Sequence, residues 1–536
     1  MKYLLFICFT LIIKAPVNAQ IDNLFRPWNH DTTPGLAVAI QYRGATLHQK
    51  GYGMANLEHH IPITPTSVFD LASVSKQFCA FAIALLIDQG KLNLDDDIRT
   101  FLLELPDFGH VITIQHLLFH TSGIRDWPGM LGLSGRDMQD VISMKEIHSF
   151  VTHQQTLNFN SGTKYSYSNT GYNLLAMIIE QISGQSFRSF MDDTIFSPLH
   201  MTQTHFQDDH EEIVVGRVTS YGSYYGEFRR IGNGLMALGS SSLHSTTEDL
   251  IKWVDNFENP VVGSAAVHSM MNSHGYLNDG TPIPYGFGLI HGTYRGLKTV
   301  SHSGSWAGFR TIILRVPAHE FTVILLGNHS IMNATQLAQR IVEYYLGAFL
   351  DPDPSALSSP QVTYSPEDYE GVYDFHNGLV IQLNADNTSL TAKIPPLSSV
   401  PVQFITVDSL MIPTLNLTIG FISDSTLQVT HGVMKDIKSQ RLPLPDEEPP
   451  LPALEACYTS EELNVSYQVI IQNSQLMIGG PRGIHHSLKK LTDTLYHSDT
   501  WYMPVIRFFV NQDTNSVSHF ETSSSRNQRV AFKQSC

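Results

Sequence analysis

Apolar residues follow helical and strand spacing in turn up to Leu350, and mainly strand spacing after it. Residues 73–92, SVSKQFCAFAIALLIDQGKL, and residues 159–184, FNSGTKYSYSNTGYNLLAMIIEQISG, predict two apolar helices that end near Gly90 and Gly184. Residues 297–328 read as a strand broken by small residues and followed by two more β-rich runs. The first part of the chain therefore predicts a mixed α and β domain.

Beyond Leu350 the chain consists of short alternating runs such as LVIQL, SLTAKI, VSYQVIIQ and VIRFFV, between two Pro-rich stretches. Each block is long enough for a small antiparallel barrel. The predicted domains are a signal peptide at 1–19, a first domain at 20–350, a linker at 351–365, a β-rich domain at 366–442, a linker at 443–453 and a second β-rich domain at 454–536.

The two β-rich blocks resemble each other where they begin. Glu370-Gly-Val-Tyr373 matches Glu455-Ala-Cys-Tyr458 at the same place relative to the linker, which suggests an internal repeat. In a closed barrel the first and last strands are neighbours, which would bring Cys457 close to Cys536. Because the chain is expected to be exported, we predict a disulfide between them.

The N-terminus, MKYLLFICFTLIIKAPVNAQ, has a basic residue, an apolar stretch and small residues before Gln20. This pattern predicts a secretory signal cleaved before Gln20, and hence a secreted or periplasmic protein with no transmembrane segment in the mature chain. The formal net charge of -16 argues against nucleic acid and anionic membranes as partners. The oligomeric state is left open.

Ser73-Val-Ser-Lys76 is the first candidate for chemistry. On a helix that begins at Ser73, the Lys76 amine lies one turn from the Ser73 hydroxyl. A lysine in an apolar helix face tends to have a lowered pKa and can take the serine proton, and the helix N-terminus offers N–H groups to an oxyanion. The same S-x-x-K pattern at Ser161 and Ser487 lacks the apolar run. The alternative is an N-cap serine beside a solvated lysine.

The second motif is Tyr167-Ser-Asn169, expected on a loop braced by the helix that follows. The phenol could carry a proton between serine and leaving group, and the amide could hold the substrate carbonyl or the lysine. A half-buried tyrosine at a capped helix start is the alternative.

The third motif, His302-Ser-Gly304, lies in the first strand of the β-rich run. Gly304 would let the backbone approach a ligand, and the Ser305 N–H could be a second oxyanion donor opposite that of Ser73. His302 and Ser303 would present polar groups to the substrate.

The three motifs occur together with PGLAVAIQYRG, FDLASVSKQF, ITIQHLLFHTSGI, YSYSNTGYNLL and GNGLMALGSSSLHSTTEDLIKW. From about Gly35 to Asn328 the chain resembles the serine β-lactamase and penicillin-binding-protein family, specifically the class C β-lactamases and DD-peptidase-like serine hydrolases. The resemblance implies an α/β (α+β) domain in which helices flank an antiparallel sheet. In the D-aminopeptidase-like branch two lipocalin-like barrels follow, and a loop from one of them can reach the cleft.

The resemblance implies the following roles. Ser73 would be acylated, Lys76 and Tyr167 would transfer protons, and Asn169 would orient the substrate. His302, Ser303 and Gly304 would stand where most class C β-lactamases have Lys-Thr-Gly. Since a histidine is largely neutral near pH 7, it would attract a substrate carboxylate less than lysine does.

The chain is therefore expected to be an exported serine acyl-hydrolase, a peptidase or esterase of the D,D-carboxypeptidase or D-aminopeptidase type. The alternatives are a class C-like β-lactamase and a non-catalytic protein that binds peptides or peptidoglycan. No metal or organic cofactor is expected for this chemistry. Arg229, Arg295 and Arg310 are possible carboxylate anchors, although an exposed salt bridge is the expectation for each. Cys79 is expected to be a core residue.

Overall fold

The computed structural model describes residues 19–352, 365–375, 379–386, 389–395, 399–406, 408–412, 417–423, 426–431, 438–442, 454–511 and 516–535. Most of the predicted signal peptide and of both predicted linkers lies outside these residues. We call residues 19–352 the N-terminal region, 365–442 the first barrel and 454–535 the second barrel. Within the described residues, no helix is both long and apolar enough to cross a membrane.

The helices belong to the N-terminal region, where they follow a helical stretch at residues 19–24. Their bounds are α1 (Lys76–Asp88), α2 (Ile114–Leu118), α3 (Trp127–Leu133), α4 (Met144–Thr152), α5 (Asn169–Ser183), α6 (Phe187–Met191), α7 (Thr247–Glu258), α8 (Ala265–Met271) and α9 (Ala334–Leu346). The two apolar helices predicted from the sequence are α1 and α5. Gly90 and Gly184, with φ of 68° and 69°, follow their ends as expected.

The strands of the N-terminal region are β1 (Leu36–Tyr42), β2 (Ala45–Tyr52), β3 (Met54–Asn56), β4 (Ile61–Pro62), β5 (Phe69–Asp70), β6 (His205–Phe206), β7 (Tyr221–Tyr224), β8 (Glu227–Arg230), β9 (Leu243–Ser245), β10 (Gly275–Tyr276), β11 (Pro282–Ile283), β12 (Tyr285–Gly286), β13 (Leu289–Tyr294), β14 (Leu297–Trp306), β15 (Phe309–Val316) and β16 (Phe321–Gly327). The main sheet has the order β12-β13-β14-β15-β16-β1-β2 and is antiparallel throughout.

Both faces of this sheet are covered, which explains why its central strands are continuously apolar. In β1, Ala37 and Ala39 belong to the core that α1 and α5 share, while Val38 and Ile40 belong to a second core with α9. Side chains alternate between faces along a strand, so each strand contributes to both cores. The α/β (α+β) fold with an antiparallel sheet between helices is confirmed.

The two barrels have the same strand order. The first barrel contains β17 (Gly371–Asp374), β18 (Val380–Asp386), β19 (Ser389–Lys393), β20 (Val400–Pro401), β21 (Gln403–Thr406), β22 (Ser409–Ile412), β23 (Leu417–Ser423), β24 (Thr426–His431) and β25 (Lys438–Leu442). The second contains β26 (Ala456–Ser460), β27 (Val465–Gln472), β28 (Gln475–Gly479), β29 (His485–Ser487), β30 (Lys489–Lys490), β31 (Leu495–His497), β32 (Val505–Asn511), β33 (Ser516–Ser523) and β34 (Val530–Gln534).

In each barrel the first strand pairs with the last, and the sheet curls back until it is nearly closed. The internal repeat is visible in side-chain detail at the start of each barrel. Tyr373 donates its hydroxyl hydrogen to the carbonyl of Tyr369 at 3.2 Å, and Tyr458 donates to the carbonyl of Leu454 at 3.0 Å. Each tyrosine thus ties its strand to the residue four positions upstream, as a repeated unit would.

Cys457 lies on β26 and is disulfide-bonded, while Cys79 is free and buried in α1. The predicted partner, Cys536, lies outside the described residues, so the pairing itself stays a prediction. The preceding residue, Ser535, donates its N–H to the Cys457 carbonyl at 2.8 Å.

The second barrel packs directly on α3. Met130 and Leu133 of this helix belong to the apolar core of the barrel, and Tyr467 donates to the Leu133 carbonyl at 2.9 Å. Beside the helix, Arg125 and Glu462 form a salt bridge of 2.9 Å with side chains only 2% and 8% exposed. The contact is therefore part of the packed interior, and it fixes the barrel next to the segment that carries the candidate site.

Candidate active site

Ser73 lies in a tight turn that leads into α1. The turn is a 3₁₀ helix, Ala72–Ser75, so the α-helix itself begins at Lys76, one turn later than predicted. Ala72 has a φ of 47°, a strained value for a residue with a side chain, and the Asp70 carboxylate accepts its N–H at 2.7 Å. The turn leaves Ser73 half-buried.

Lys76 lies within hydrogen-bond distance of three groups of the site. Its side chain is fully buried, and Nζ lies 3.0 Å from Ser73 Oγ, 2.8 Å from Asn169 Oδ1 and 2.7 Å from the Ser240 carbonyl oxygen. Burial lowers the pKa of Lys76 well below its usual value, although the nearby Asp126 carboxylate opposes this shift. The neutral amine is therefore favoured far more than in an exposed lysine.

The three contacts of Lys76 fix the direction of its hydrogens. The amide oxygen of Asn169 and the carbonyl of Ser240 can only accept. A neutral amine has two N–H groups for these two oxygens and one lone pair, which then points at Ser73. The Ser73 hydroxyl can donate to that lone pair, the arrangement that a general base requires.

Asn169 is held in one orientation by Asp126, a residue that the sequence analysis did not single out. Asp126 is 1% exposed; its Oδ2 accepts from Asn169 Nδ2 at 3.0 Å, and its Oδ1 accepts from the backbone N–H of Asn169 at 2.7 Å. With Nδ2 bonded to Asp126, Oδ1 must face Lys76. Asn169 is the first residue of α5 and does not lie on a loop as predicted.

Tyr167 lies over the same group of atoms. Its ring centroid is 4.9 Å from Lys76 Nζ, and its pKa is raised by burial, which a hydrogen bond with Ser73 opposes only in part. The phenol therefore keeps its proton at neutral pH. It lies next to Ser73 and Lys76, the two groups between which a proton would move.

The strand β14 carries the third motif. Its neighbour β13 pairs with it only as far as Ser301, so among the described strands the segment from His302 to Trp306 pairs with β15 alone. The other backbone edge of that segment is free to meet a substrate. Ser303 and Ser305 are exposed, whereas Gly304 is buried.

Gly304 contacts the turn that holds Ser73. A Cβ atom there would lie 2.1 Å from the Leu71 carbonyl oxygen, and Thr311 donates to the same oxygen at 2.7 Å. The glycine thus allows the strand to approach the turn before Ser73. The sequence alone predicts that Gly304 makes room for a ligand, whereas the structure shows protein backbone in that place.

His302 is 2% exposed and bonded on both ring nitrogens. Nδ1 lies 2.7 Å from the Ser303 carbonyl, which can only accept, so Nδ1 carries the hydrogen and Nε2 accepts from the Tyr285 hydroxyl at 3.0 Å. Burial lowers the pKa of His302 to about 3, and the Lys76 charge adds to the effect. The ring is neutral at physiological pH.

Arg526 enters the site from the second barrel. Its guanidinium lies 4.8 Å from the Tyr167 ring centroid, and Nη1 lies 3.1 Å from Asp126 Oδ2. The neighbouring Asn527 donates to the Asp126 carbonyl and accepts from the Asp126 N–H. A barrel loop therefore does reach the cleft. No local pattern in the sequence around Arg526 indicates this, because the contact exists only after the barrel has docked.

The remaining sequence candidates lie elsewhere. Ser161 donates to the Val111 carbonyl, and Ser487 is on a strand, so neither begins a helix. Arg229 pairs with Glu227 in an exposed salt bridge, as expected, whereas Arg295 pairs with Glu343 in a salt bridge whose side chains are only 21% and 20% exposed. Arg310 has no carboxylate partner among the described residues, which differs from the expectation. Within the same residues, no three His, Cys, Asp or Glu side chains are grouped in a way that could hold a metal ion.

Sequence comparison agrees with this geometry. A sequence model of the family described as Beta-lactamase matches residues 21–345. A D-aminopeptidase of Gluconobacter oxydans is 30% identical over 324 residues, which is 60% of this chain and 61% of the relative. Penicillin-binding protein 4* of Bacillus subtilis is 30% identical over 335 residues, 59% of this chain and 73% of the relative. The chain thus matches about three fifths of the length of the Gluconobacter protein.

Structure comparison extends the likeness to the C-terminal part. An octameric penicillin-binding protein homologue from Pyrococcus abyssi superposes with a TM-score of 0.55 at 21% identity, covering 87% of this chain and 98% of the other. At this identity the likeness concerns the fold. The family match, by contrast, spans more than half of the chain and includes all three motifs. The chain belongs to the β-lactamase family of serine hydrolases.

Proposed function

We propose that this protein is a serine acyl-hydrolase that forms an acyl-enzyme on Ser73, a peptidase or esterase of the D,D-carboxypeptidase or D-aminopeptidase type. The observation that carries the proposal is the buried amine of Lys76, whose two N–H groups are taken by Asn169 and Ser240 and whose lone pair faces Ser73 Oγ at 3.0 Å. The D-aminopeptidase and penicillin-binding-protein relatives support the substrate class.

In acylation, Ser73 Oγ attacks the carbonyl carbon of the substrate while Lys76 Nζ takes the hydroxyl proton. The carbonyl π electrons move to oxygen, and the backbone N–H groups of Ser73 and Ser305 stabilise the oxyanion. Asn169 holds Lys76 and can orient the substrate amide. Asp126 keeps Asn169 in that orientation without touching the substrate.

Collapse of the tetrahedral intermediate expels the amine or alcohol, which needs a proton. Tyr167 can donate its phenol hydrogen to the leaving group and recover one from Lys76, since its ring contacts the lysine and its pKa is raised. A water molecule then attacks the acyl-enzyme by the reverse route, releases the acid and restores Ser73.

A class C-like β-lactamase is the second candidate. In that reading the first residue of the third motif attracts the substrate carboxylate with a positive charge. His302 is neutral because its pKa is lowered to about 3, and its ring is bonded to Tyr285 and the Ser303 carbonyl. The absence of a positive charge on His302 therefore favours a peptidase or esterase.

A silent binding protein is the third candidate. A lysine that is fully buried with no salt bridge to a described carboxylate is costly for a fold. A peptide-binding module has no use for a nucleophile and base held at hydrogen-bond distance. The retained pair therefore favours catalysis.

We also propose that the chain is exported after cleavage before Gln20 and consists of a domain at 20–350 and two β domains at 366–442 and 454–536. Edman sequencing of protein recovered from the periplasm or the medium tests the cleavage. A mature chain that still begins at Met1 would contradict it. Limited proteolysis tests the boundaries, because the linkers at 351–365 and 443–453 should be cut first.

The test of the function is intact-mass spectrometry after exposure to a fluorophosphonate and, separately, to a penicillin. We expect one adduct of each reagent on Ser73 and none on the matched variant Ser73→Ala. A long-lived penicilloyl adduct indicates a peptidase-like enzyme, whereas rapid turnover of the penicillin indicates a β-lactamase. A folded protein that reacts with neither reagent would refute the proposal and favour the binding protein.

A further inference from the structure

We propose that the cleft beyond Ser305 is a subsite for an anionic group on the acyl part of the substrate, and that Arg310 binds this group. The inference rests on the proposed acyl transfer at Ser73 and names the substrate class: esters or amides whose acyl part has an apolar body and a distal carboxylate.

A cavity of about 530 Å³ adjoins Ser305. Its walls include Trp306, Met138 and Ile231 of the N-terminal region and Trp501 of the second barrel, with Arg310 among them. This volume is typical of a small-molecule site, and mainly apolar walls with one charged group are the usual composition of such sites. The second barrel therefore supplies Trp501 to this subsite, in addition to the contact of Arg526 with Asp126.

The position of the cavity along β14 assigns it to the acyl part. The leaving group must meet the proton donor Tyr167, whose ring centroid lies 6.2 Å from that of His302 at the start of the motif. Ser305 and Trp306 are three and four residues farther along the strand, roughly 10 Å at the rise of an extended chain. The group that extends past Ser305 is then the one that stays bonded to Ser73 in the acyl-enzyme.

Arg310 lies directly opposite Ser305 in the antiparallel register of β14 and β15, so the two side chains share a face of the sheet. Its Nη1 donates to the carbonyl oxygens of Ala307 at 3.1 Å and Phe309 at 2.7 Å. The other guanidinium nitrogens make no hydrogen bond to a described residue, and no described carboxylate lies within ion-pair distance. The guanidinium is thus held through Nη1, and its other nitrogens are available to bind a ligand.

Burial without a counter-charge lowers the pKa of Arg310 from its ordinary value, whereas Arg229 and Arg295 both pair with glutamates. A half-buried guanidinium that lacks a carboxylate in its own chain is suited to one from a ligand, since its planar fork matches two carboxylate oxygens. The same charge would repel an acyl part that carries a free ammonium group, so within the proposed function this subsite favours the D,D-carboxypeptidase type or an esterase over the D-aminopeptidase type. The subsite therefore selects by charge as well as by shape.

The test compares two esters with the same leaving group, mono-para-nitrophenyl adipate and para-nitrophenyl hexanoate, which differ in the distal carboxylate. We expect wild type to prefer the adipate in kcat/KM by about tenfold or more, the worth of one charge-assisted hydrogen bond. In Arg310→Met the ratio should fall towards one, chiefly through KM for the adipate. Arg340→Met, the same change at an exposed position of α9, should keep the wild-type ratio.

Two further measurements separate the possible failures. Arg310→Lys keeps the charge without the planar guanidinium, so its adipate-to-hexanoate ratio of kcat/KM should lie between those of wild type and Arg310→Met. This variant still tests the proposal if Arg310→Met folds poorly. In Ser73→Ala, tryptophan fluorescence from Trp306 and Trp501 should change at lower concentrations of monomethyl adipate than of methyl hexanoate. Equal ratios in wild type and Arg310→Met, or no preference in either assay, would overturn the subsite. Failure of Ser73 to react with both esters and the fluorophosphonate, with selective adipate binding intact, would refute only the proposed function.

Discussion

The Arg526 guanidinium pairs with the Asp126 carboxylate at 3.1 Å although 400 positions separate the two residues. Asp126 is buried and also accepts hydrogen bonds from the backbone N–H and from Nδ2 of Asn169, whose amide oxygen faces Lys76. The arginine side chain itself is 45% exposed. A loop of the second barrel therefore supplies the positive charge that balances the buried Asp126 carboxylate. Since this carboxylate orients Asn169, the barrel helps to fix the geometry of the candidate site.

This relationship predicts that Arg526→Ala reduces the rate at which Ser73 is acylated. Without the guanidinium, the Asp126 carboxylate keeps fewer partners and the Asn169 amide is less firmly oriented. Small misplacements at a reacting group can cost on the order of 100-fold in rate, and we expect a loss of about 10- to 100-fold in the maximal rate of labelling, with a smaller change in the reagent concentration that gives half of that rate. The measurement is single-turnover labelling by the fluorophosphonate.

Arg526→Lys provides the conservative comparison, because it keeps the charge near Asp126 and should recover part of the rate. Arg529→Ala removes a neighbouring cation of the same loop whose Nη2 donates to the Asn158 carbonyl at 3.4 Å. Its acylation rate should stay closer to wild type than that of Arg526→Ala. Equal rates in all three variants would show that Arg526 has no positioning role.

The state of Lys76 predicts the pH dependence of acylation. Only the neutral amine can take the Ser73 proton, so the rate should rise with pH and level off above the pKa of the group that titrates. Because burial lowers the pKa of Lys76, this midpoint should lie well below that of an ordinary lysine. The profile is measured as the fluorophosphonate labelling rate against pH.

Lys76→Arg is the sharper variant for the same hypothesis. Arginine keeps a positive charge and hydrogen-bond donors but does not deprotonate in proteins. General-base catalysis contributes typically 100- to 10,000-fold, so we expect a loss in that range that higher pH does not restore. Recovery of Lys76→Arg at high pH would show that another group takes the proton.

Much of the site could be predicted from the sequence because its parts are local. Ser73 and Lys76 are one helical turn apart, and Tyr167 and Asn169 precede an apolar helix whose spacing is plain in the sequence. The motifs occur in one order in a chain that resembles a known family. Ser73, Tyr167 and Asn169 meet at Lys76 Nζ, which agrees with that prediction, while the chemical role of each residue stays a prediction until it is tested.

Other parts could not be predicted, since they arise from tertiary packing. The barrels were predicted from alternating runs, but which loop enters the cleft depends on how the second barrel docks on α3. The positive φ of Ala72 and the close approach of Gly304 to the Leu71 carbonyl exist only where β14 meets the turn that holds Ser73. Asp126 lies immediately before α3 and outside the three motifs. No periodicity marks a carboxylate whose partners come from two distant segments, one at the start of α5 and one at Arg526.

The barrel interface gives a stability prediction. Arg125 and Glu462 are almost fully buried, so Glu462→Ala should leave the guanidinium without its counter-charge. Removing one partner of a buried pair typically costs about 3–5 kcal/mol. Urea denaturation should show this loss, and hydrogen exchange should show faster opening of residues 524–529.

The adjacent pair is a matched control. Lys533 and Glu461 form a salt bridge of 3.0 Å with side chains that are both more than half exposed. Exposed pairs contribute about 0–1 kcal/mol, so Glu461→Ala should change the free energy of unfolding very little. Similar losses for Glu461→Ala and Glu462→Ala would mean that the buried pair does not hold the barrel in place.

His302 predicts how stability responds to acid. Burial favours the neutral ring and lowers the pKa of His302 from its ordinary value of 6.5 to about 3 in the folded protein. Between these two values the unfolded state binds more protons, so the contribution of His302 to the free energy of unfolding is complete above pH 6.5 and falls as pH decreases towards 3. The slope is about 1.4 kcal/mol per pH unit for one such group.

Urea titrations at pH 6.5 and 5.0 should therefore show that acidification costs wild type about 2 kcal/mol more than His302→Asn, since 1.5 pH units at that slope separate them. The variant loses stability at both pH values, because Tyr285 keeps a weaker partner, but it no longer buries a titrating ring. His59→Asn changes an exposed histidine and should follow wild type. If His302→Asn and wild type lost the same amount on acidification, the ring would have to be charged in the folded protein, and the argument that His302 lacks the charge of a β-lactamase lysine would fail with it.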